Sequence, residues 1–267
     1  MSAQILVLTA TLGKRETLQK TIESVQQIGG NNVKHLVIAP SGSIESLKEQ
    51  YKKTEFIEEP SNTKGIYAAL NFGFNTFGRD YQYLTFINDD DYWLPEYASI
   101  IESCIKNPNI DLVYGRTMYI NSNGTKIGTQ TSSHQFKSFT RLINKGIVLF
   151  TQQATLIKSD LFFRIGGFDE SYTLIADTKF WMEASLLKLN YKYINKECAA
   201  YTIQEGQLSS DKEKQKNEHI SLLKEFSSYN KRTLFPTLLF RIINCRIYIK
   251  RLFRYGNIRN PFAYKIE

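Results

Sequence analysis

The sequence predicts an α/β fold in which a mostly parallel sheet is flanked by helices and followed by a C-terminal helical appendage. Two observations support this prediction. Short apolar runs alternate along the first half of the chain with segments in which apolar residues recur at helical spacing. Clusters of Gly, Pro and Ser separate several of these segments. This order favours a mostly parallel sheet with helices on both of its faces.

The elements of the first half follow from these patterns. Apolar runs predict strands at residues 5–9, 35–39, 55–58 and 83–87. Helical spacing of apolar residues predicts helices at residues 16–28, 44–51, 65–78 and 95–105. Gly29 and Gly30 end the first helix, and Pro95 lies near the start of the fourth. Residues 40–43 form a cluster of turn-favouring residues after the second strand.

The second half of the chain is less regular. Strands are predicted at residues 111–119, 126–128, 155–157 and 191–194, and helices at residues 161–165 and 177–189. A hairpin-type turn at residues 121–124 joins the first two of these strands. Residues 129–146 are polar and weakly patterned. Residues 203–217 are polar and lack periodicity, which predicts a loop.

Charge is distributed unevenly along a chain of otherwise ordinary composition. The chain has 267 residues, 42% of them apolar and 22% charged, and a formal net charge of +8. Nine of the 34 Lys and Arg residues lie in residues 231–267, together with one of the 26 acidic residues. The first 230 residues therefore carry 25 charges of each sign. We predict a domain over residues 1–230 and a basic tail over 231–267, and we do not expect a nucleic-acid partner.

The tail can be drawn as one helix over residues 234–255. Its apolar face consists of Leu238, Ile242, Ile249, Leu252 and Phe253, and its basic face of Arg246, Lys250, Arg251 and Arg254. Ile243 and Ile247 interrupt the basic side. Two interpretations are open. The helix lies in the interface of an anionic membrane, or it packs on the domain or in a homodimer contact.

Cysteine and histidine residues give no sign of a disulfide framework or a zinc site. Cys104, Cys198 and Cys245 are widely spaced and form no CxxC pair, which favours inert thiols in a reducing compartment. The three histidines stand at unrelated positions without ligand spacing. We expect neither a signal peptide nor a membrane span, because no charged start with a long apolar run and no uninterrupted apolar stretch of about 18 residues is present.

The strand at residues 83–87 ends in the most informative motif of the chain. Asn88 is followed there by three consecutive carboxylates, Asp89, Asp90 and Asp91. Adjacent like charges repel each other, so a fold tolerates them best on a solvated turn or around a cation. The carboxyl end of a strand in an α/β sheet is also where such sheets bind ligands. The sequence therefore indicates a divalent-cation site for a diphosphate, or an acidic turn in which an Asp caps a helix.

The order of several motifs resembles the family 2 glycosyltransferases of the GT-A fold, over roughly residues 4–210. Residues 5–15 resemble the opening strand and turn of that family, and residues 86–93 resemble its acidic motif. Residues 64–71 read Lys-Gly-Ile-Tyr-Ala-Ala-Leu-Asn, which is similar to the start of a family helix. Residues 166–170 match Gly-Gly-Phe-Asp-Glu, Asp177 follows before an aromatic-rich helix, and residues 206–210 resemble the Gly-rich, Ser-ending loop that comes next.

The resemblance implies a metal-dependent inverting transferase that moves a hexose from a nucleotide-sugar to a saccharide hydroxyl. A UDP-sugar is the donor that we expect first. It implies Asp177 as the general base, and a divalent metal, Mn²⁺ or Mg²⁺, held by Asp90 and Asp91. Which of these two touches the ion directly stays open, because the Asp run admits two registers. The implied residues for the nucleotide-sugar are Thr9, Ala10, Thr11, Arg15, Lys64, Gly65, Asn88, Asp89 and Asp90.

The resemblance also bears on organisation and location. Residues 1–110 would form a nucleotide-binding half and residues 111–230 an acceptor-binding half. The variable loops that decide specificity are expected at residues 121–150 and 203–217. A lipid-linked saccharide acceptor in the synthesis of a surface polysaccharide would suit a cytoplasmic enzyme that contacts the inner face of the plasma membrane through its basic tail.

Departures from the family pattern keep other interpretations open. The segment at residues 39–45 lacks the family Asp that recognises the nucleobase of the donor. The segment at residues 58–65 has two extra residues and no Asp, and Ala68 stands where the family has another Asp. We interpret these changes as altered recognition of the donor. A non-catalytic nucleotide-sugar or saccharide binding homologue is one rival. A sugar nucleotidyltransferase is another, although Gly13 alone does not make the Gly-rich loop that such enzymes carry after the first strand. Taken alone, Asp177 also fits a helix N-cap, and Asp169 fits a turn.

Overall fold

The computed structural model describes residues 4–204, 211–229 and 233–258, in which nine strands form one sheet. The strands are β1 (Ile5–Ala10), β2 (Val33–Ala39), β3 (Glu55–Glu58), β4 (Tyr83–Phe86), β5 (Tyr92–Trp93), β6 (Leu112–Asn121), β7 (Lys126–Thr129), β8 (Thr155–Lys158) and β9 (Tyr191–Ile203). The α-helices within those ranges are α1 (Leu18–Gly29), α2 (Ser41–Gln50), α3 (Ile66–Phe77), α4 (Ala98–Lys106), α5 (Phe139–Ile143), α6 (Ser159–Ile165), α7 (Ala176–Leu186), α8 (Lys212–Glu225), α9 (Leu234–Ile243) and α10 (Cys245–Tyr255).

The sheet combines a parallel half with a mixed half. Its strand order is β3-β2-β1-β4-β8-β6-β9-β5, and β7 pairs with β6 outside that path. Strands β3, β2, β1 and β4 are all parallel, so their carboxyl ends lie at one edge of the sheet. Strand β8 runs antiparallel to both of its neighbours, while β6 and β9 are parallel. The predicted α/β class is confirmed.

Strand β1 shows why the parallel half reads as continuous apolar runs. Leu6 and Leu8 face one side of the sheet, in the core that includes residues of α3 and α6. Ile5 and Val7 face the other side, in the core that includes residues of α1 and α4. Alternate side chains of a strand point to opposite faces, so a strand covered by helices on both faces is apolar at every position.

Three predictions of secondary structure within residues 1–230 differ from the structure. The expected turn at residues 40–43 is instead the first turn of α2, which begins at Ser41 directly after Pro40 in an extended conformation. The strand expected at 191–194 continues to Ile203, because its second half pairs with β6 and β5. The loop expected at residues 203–217 is wrong for its last part, since α8 begins at Lys212. Residues 206–210, the predicted Gly-rich loop, lie outside the described residues.

Residues 129–146 are more ordered than their polar composition suggests. Gln130, Thr131, Ser132 and Ser133 are buried, and Phe136 opens a stretch that contributes four residues to the main core. The other three are Phe139, Leu142 and Ile143. This segment is therefore an internal support of the second half of the chain.

The tail forms two helices where one was predicted. The break is at Asn244, which has φ −99° and ψ 13° and is almost fully buried. Its side-chain amide donates to the carbonyl of Phe240 at 3.0 Å, and its side-chain oxygen accepts the backbone N–H of Ser132 at 3.2 Å. Phe240 belongs to the main core. The first tail helix thus packs on the body of the protein. The basic residues Lys231, Arg232, Arg259 and Lys265 lie outside the described residues.

Candidate active site

The acidic turn lies where β1 and β4 end side by side. The Thr11 hydroxyl, directly after β1, donates to Asp89 Oδ2 at 2.6 Å. The Arg15 guanidinium reaches both neighbouring carboxylates, with Nε 3.3 Å from Asp89 Oδ1 and Nη1 2.6 Å from Asp90 Oδ2. These contacts form because β1 and β4 are adjacent and parallel, so the residues that follow them meet at one edge. Four residues predicted from sequence are therefore brought together: Thr11, Arg15, Asp89 and Asp90.

Charge at this edge is compensated from within the protein. Burial raises the pKa of the Asp89 carboxyl, and the hydrogen bond from Thr11 and the charge of Arg15 oppose that shift. The side chains of Asp89 and Asp90 are 14% and 8% exposed, against 29% for Arg15. A ligand that approaches the turn therefore meets a guanidinium and the outer parts of two carboxylates.

Asp91 is enclosed and differs from its two neighbours. It is 0% exposed. Its Oδ2 accepts hydrogen bonds from the amides of Gln153 at 2.6 Å and Asn88 at 3.1 Å, and its Oδ1 accepts the backbone N–H of Thr202 at 2.8 Å. Burial raises the pKa of the Asp91 carboxyl, the charge of Asp90 raises it further, and the three donors oppose the shift. Both carboxylate oxygens of Asp91 are thus bound to protein groups.

Apart from Asn88, the residues that surround Asp91 were not predicted from the sequence. Gln153 precedes β8, and Thr202 lies near the end of β9, which pairs with β5 just after the acidic turn. The Thr202 hydroxyl donates to the Asp90 carbonyl, and the Thr21 hydroxyl of α1 donates to the Asp91 carbonyl at 2.6 Å. No short-range spacing marks these residues, because each comes from a different and distant element. Only the strand pairing brings them to the turn.

Asp177 lies in the first turn of α7 and is partly exposed. Its Oδ1 accepts the Tyr67 hydroxyl at 3.0 Å and the backbone N–H of Thr178 at 2.7 Å. Burial raises the pKa of the Asp177 carboxyl, and the hydrogen bonds from Tyr67 and Thr178 oppose the shift. Among the residues that the structure describes, no hydrogen bond to Asp177 Oδ2 is found. This oxygen is the one that can accept a proton from a bound molecule.

Tyr67 connects Asp177 to the edge that holds the acidic turn. It lies in the first turn of α3, which follows β3, and β3 ends at the same edge as β1 and β4. The ring centroid of Tyr67 is 5.3 Å from that of Phe168, which is 5.5 Å from that of Phe86 in β4. Burial raises the pKa of the Tyr67 hydroxyl well above its usual range, so it stays protonated and donates to Asp177. Sequence reasoning quoted Tyr67 within a motif but gave it no role.

Two motifs noticed in the sequence interlock through Asn71. Its amide nitrogen donates to the Phe168 carbonyl and to Glu170 Oε1, both at 2.8 Å, and its oxygen accepts the Phe168 N–H at 2.9 Å. Gly167 has φ +85°, and a Cβ there would lie 2.9 Å from Asn71 Oδ1, so only glycine fits this contact. The helix motif at residues 64–71 and the Gly-Gly-Phe-Asp-Glu turn are therefore parts of one support beneath Asp177.

A second support reaches the start of α7 from α8. The Glu218 carboxylate accepts the backbone N–H groups of Thr173, Leu174 and Ile175 at 2.9, 2.9 and 3.2 Å, and the Thr173 hydroxyl at 2.7 Å. Ile175 is the N-cap residue of α7, whose N–H has no partner within the helix, and the other two N–H groups belong to the segment just before it. Glu218 thus caps α7 from another helix and fixes the segment that carries Asp177.

The remaining predicted residues are placed as follows. Thr9 is buried, and its hydroxyl lies 3.0 Å from Nε2 of His35, whose pKa burial lowers to about 3. Ala10 ends β1, and Lys64 and Gly65 are exposed immediately before α3, where Gly65 takes φ +85°. Asp169 accepts a hydrogen bond from the Ser171 hydroxyl, and its Oδ2 lies 2.7 Å from Lys179 Nζ. The hydrogen bond from Lys179 is the main cause that lowers the pKa of the Asp169 carboxyl to about 2. Asp169 thus orders its own turn.

The sequence matches the family model described as glycosyl transferase family 2 over residues 6–166, more than half of the chain. The chain belongs to glycosyl transferase family 2. This confirms the resemblance found from the motifs. No curated protein sequence matches the chain significantly.

Solved structures support the same fold for this family 2 glycosyltransferase. TarS of S. aureus in complex with UDP-GlcNAc has a TM-score of 0.62 and 13% sequence identity, over 96% of this chain and 76% of that one. Another TarS structure gives a TM-score of 0.57 and 14% identity over 84% of this chain, which spans 40% of that chain. The mannosyltransferase PcManGT of Pyrobaculum calidifontis, in complex with GDP-Man and Mn²⁺, has a TM-score of 0.56 and 10% sequence identity. The match covers 85% of this chain and 65% of the mannosyltransferase chain. The likeness concerns the fold, and it confirms the GT-A architecture.

The family 2 match covers only part of the candidate site. It includes the acidic turn and ends at Gly166, so Asp177 and Glu218 lie beyond it. Within the described ranges no group of three or more His, Cys, Asp or Glu side chains forms a ready-made metal cage. Helices there that are long and apolar enough to cross a bilayer are also absent.

Proposed function

We propose that this chain is an inverting transferase that moves a hexose from a nucleotide-sugar to a hydroxyl of a saccharide. One observation carries the proposal. Tyr67 begins the helix that follows β3, which ends at the same edge as the strands next to the acidic turn, and its hydroxyl donates to Asp177. Asp177 Oδ2 accepts no hydrogen bond in the described structure. A diphosphate at the turn and a base beside it are the two groups that such a transfer needs.

The reaction follows as a single displacement. Asp177 Oδ2 takes the proton of the acceptor hydroxyl as its oxygen attacks the anomeric carbon. The bond from that carbon to the diphosphate oxygen breaks, and the nucleoside diphosphate leaves with the electron pair. Attack from the face opposite the leaving group inverts the configuration of the anomeric carbon. Arg15 and Lys64 are proposed to hold phosphate oxygens. Both are cations in loops at this edge: Arg15 lies in the loop after β1, and Lys64 lies in the loop between β3 and α3.

The residues at the acidic turn fit a divalent ion that arrives together with the diphosphate. Mg²⁺ and similar hard ions are commonly bound by one or two carboxylates and completed by substrate phosphates and water. Asp90 pairs with Arg15 and keeps 8% of its side chain exposed, whereas Asp91 is fully buried and accepts hydrogen bonds on both oxygens. We propose Asp90 as the direct ligand and Asp91 as its buried support. When bound, Mn²⁺ or Mg²⁺ would neutralise charge on the leaving diphosphate.

The proposed donor classes come from the ligands of the similar structures, and the proposed acceptor comes from the family resemblance. A UDP-sugar is our first choice, since TarS binds UDP-GlcNAc, and a GDP-sugar is the second, since the mannosyltransferase binds GDP-Man. We retain a lipid-linked saccharide in surface-polysaccharide synthesis as the acceptor, residues 1–110 and 111–230 as the donor and acceptor halves, and a cytoplasmic location. The missing donor-side carboxylates, which we interpret as altered recognition of the donor, are the main argument for the rival function, a binding homologue without turnover.

Ligand-induced stabilisation tests the donor class directly. We expect one class among UDP-, GDP-, CMP- and dTDP-sugars to raise the melting temperature, and only when Mn²⁺ or Mg²⁺ is present. A ligand at about 100 times its Kd stabilises the folded state by about 2.7 kcal/mol. A transfer assay with that donor then separates an enzyme from a binding homologue. Stabilisation by no nucleotide-sugar at all would overturn the proposal.

Replacing Tyr67 by phenylalanine tests the identity of the base. The change removes a hydrogen bond that stabilises the Asp177 carboxylate, so the pKa of that carboxyl rises further. A base acts when deprotonated. The Tyr67→Phe variant should therefore lose activity at a higher pH than the parent as the pH falls, and regain most of it at alkaline pH. The measurement is kcat against pH. An unchanged acidic limb would argue against Asp177 as the titrating base.

A further inference from the structure

The two tail helices expose an unusual amount of apolar surface. Phe253 is 87% exposed, Leu234 82% and Phe235 76%, and four further residues are about half exposed or more. These four are Leu238, Ile242, Ile249 and Leu252. We call the seven residues together the apolar tail surface. Large side chains exposed together in this way mark a surface that another phase or molecule covers.

The apolar tail surface is held outward by a separate, inner side of each helix. In α9, the buried Pro236, Thr237 and Phe240 lie opposite the exposed positions 234, 235, 238 and 242. The Pro236 carbonyl accepts a hydrogen bond from Gln135 at 3.2 Å. In α10, the buried Arg251 donates to the Thr129 carbonyl at 2.9 Å, and the Tyr255 hydroxyl donates to the Ile127 carbonyl at 2.5 Å. Packing on the body thus leaves the apolar side facing solvent.

Charge beside this surface has a single sign. Residues 233–258 contain five basic residues and no acidic one. Arg251 was predicted on the basic face, but it is buried on the inner side, where it donates to the Thr129 carbonyl. The other four basic residues are exposed: Arg241, Arg246, Lys250 and Arg254. At helical spacing, Arg246, Lys250 and Arg254 form a stripe next to Ile249 and Phe253. Helix α10 therefore presents an apolar strip and a basic strip side by side.

The combination of exposed apolar and basic side chains indicates which of three partners covers this surface: a second copy of the chain, nucleic acid or a membrane. A second copy docked by the same face would place two sets of exposed basic side chains against each other without an acidic partner. Nucleic acid would satisfy the charges but leave the exposed Phe and Leu side chains in water. An anionic bilayer satisfies both, since apolar side chains enter the acyl boundary while Lys and Arg pair with headgroup phosphates.

We propose that α9 and α10 form an interfacial anchor that seats the protein on an anionic membrane through the apolar tail surface. The anchor lies on the surface of the bilayer and does not span it, because its two helices have 10 and 11 residues. The membrane interpretation and the interpretation that the tail packs on the domain then both apply: the inner side of the tail packs on the domain, and its outer side contacts lipid.

Binding of the full chain to vesicles tests the anchor without donor or acceptor, so the result is independent of transferase activity. Vesicles of phosphatidylcholine with phosphatidylglycerol should bind the chain, and vesicles of phosphatidylcholine alone should bind it at least about tenfold more weakly. Raising the salt from about 0.1 to 1 M, which shortens the Debye length from about 10 to 3 Å, should weaken binding to the anionic vesicles.

Two variants and one control identify the surface. Phe235→Ser with Phe253→Ser should reduce partition into anionic vesicles by at least about tenfold, and Arg246→Gln with Lys250→Gln should remove most of the preference for anionic lipid. Ile220→Ser in α8 removes an apolar side chain that is 48% exposed and lies outside the tail, and it should change nothing. All of these sites are exposed, so the fold is retained, and circular dichroism checks this. Vesicle binding that the Phe variant leaves intact, or a dimer in solution that the Phe variant disrupts without any vesicle binding, would overturn the proposal.

Discussion

Replacing Asp177 by asparagine is expected to lower kcat by about 10²–10⁴-fold, the contribution of a positioned general base. Asparagine keeps the shape of the side chain, and its oxygen still accepts the hydrogen bonds of Tyr67 and of the Thr178 N–H. It has no basic oxygen to take the acceptor proton. The fold and the binding of the donor should therefore be preserved. Steady-state kinetics and a donor-dependent thermal shift measure the two quantities on the same preparation.

Asp169→Asn is the matched control for this experiment. Asp169 is an Asp of the same region that accepts hydrogen bonds from Ser171 in its own turn and from Lys179 in α7, and it makes no contact with Asp177 in the described structure. We expect a modest loss of stability there and a change in kcat far smaller than in the Asp177 variant. If Asp177→Asn retains near-parental turnover, the base lies elsewhere. If the parent itself shows donor binding without turnover, and Asp177→Asn changes nothing, the chain is a binding homologue.

The second large effect separates Asp90 from Asp91. Asp90→Asn is expected to abolish metal-dependent stabilisation by the donor while the melting temperature of the free protein stays near the parental value. Asp91→Ala should act on stability instead, because it leaves three donors without an acceptor: the amides of Asn88 and Gln153 and the Thr202 N–H. A loss of about 3 kcal/mol, at about 1–3 kcal/mol for an unsatisfied buried group, would lower Tm by about 6–12 °C.

Asp91→Asn provides the decisive third variant. Its oxygen can accept the Thr202 N–H, and its new amide can donate to Asn88 Oδ1 or Gln153 Oε1, two buried oxygens that find no partner among the described residues. Asp91→Asn should therefore be more stable than Asp91→Ala and keep metal-dependent donor binding. Loss of that binding in Asp91→Asn, with Asp90→Asn unaffected, would assign the ion to Asp91.

The sequence was informative wherever a local pattern had a single physical cause. Strands covered on both faces, such as β1, are continuously apolar, so their positions follow directly from the residues. Helix α8 was missed for the opposite reason. His219 and Leu222 are its only fully buried residues in the described structure, and the contacts of Glu218 and Glu225 that hold it are long-range. Periodicity does not register a helix that is held by polar contacts.

The candidate site shows the same division. Thr11, Arg15 and the acidic run were found because each directly follows a strand, and parallel neighbours end together. Thr202 is 111 residues from Asp91 along the chain, and it meets the carboxylate only because β5 pairs with β9. The enclosure of Asp91 is equally invisible in a run of three identical letters. Burial, and with it the different roles proposed for Asp90 and Asp91, is a property of tertiary packing.

The Glu218 contact has a consequence for building hybrid enzymes. A hybrid of two relatives needs a crossover point, and the end of the family match at Gly166 suggests one there. The cap on α7 comes from Glu218, 45 residues after Thr173 in the chain. A hybrid that takes α7 from one parent and α8 from another would replace a matched cap by an untested one directly beside Asp177. The segment from Gly167 to Glu225 should therefore be inherited from one parent as a single block.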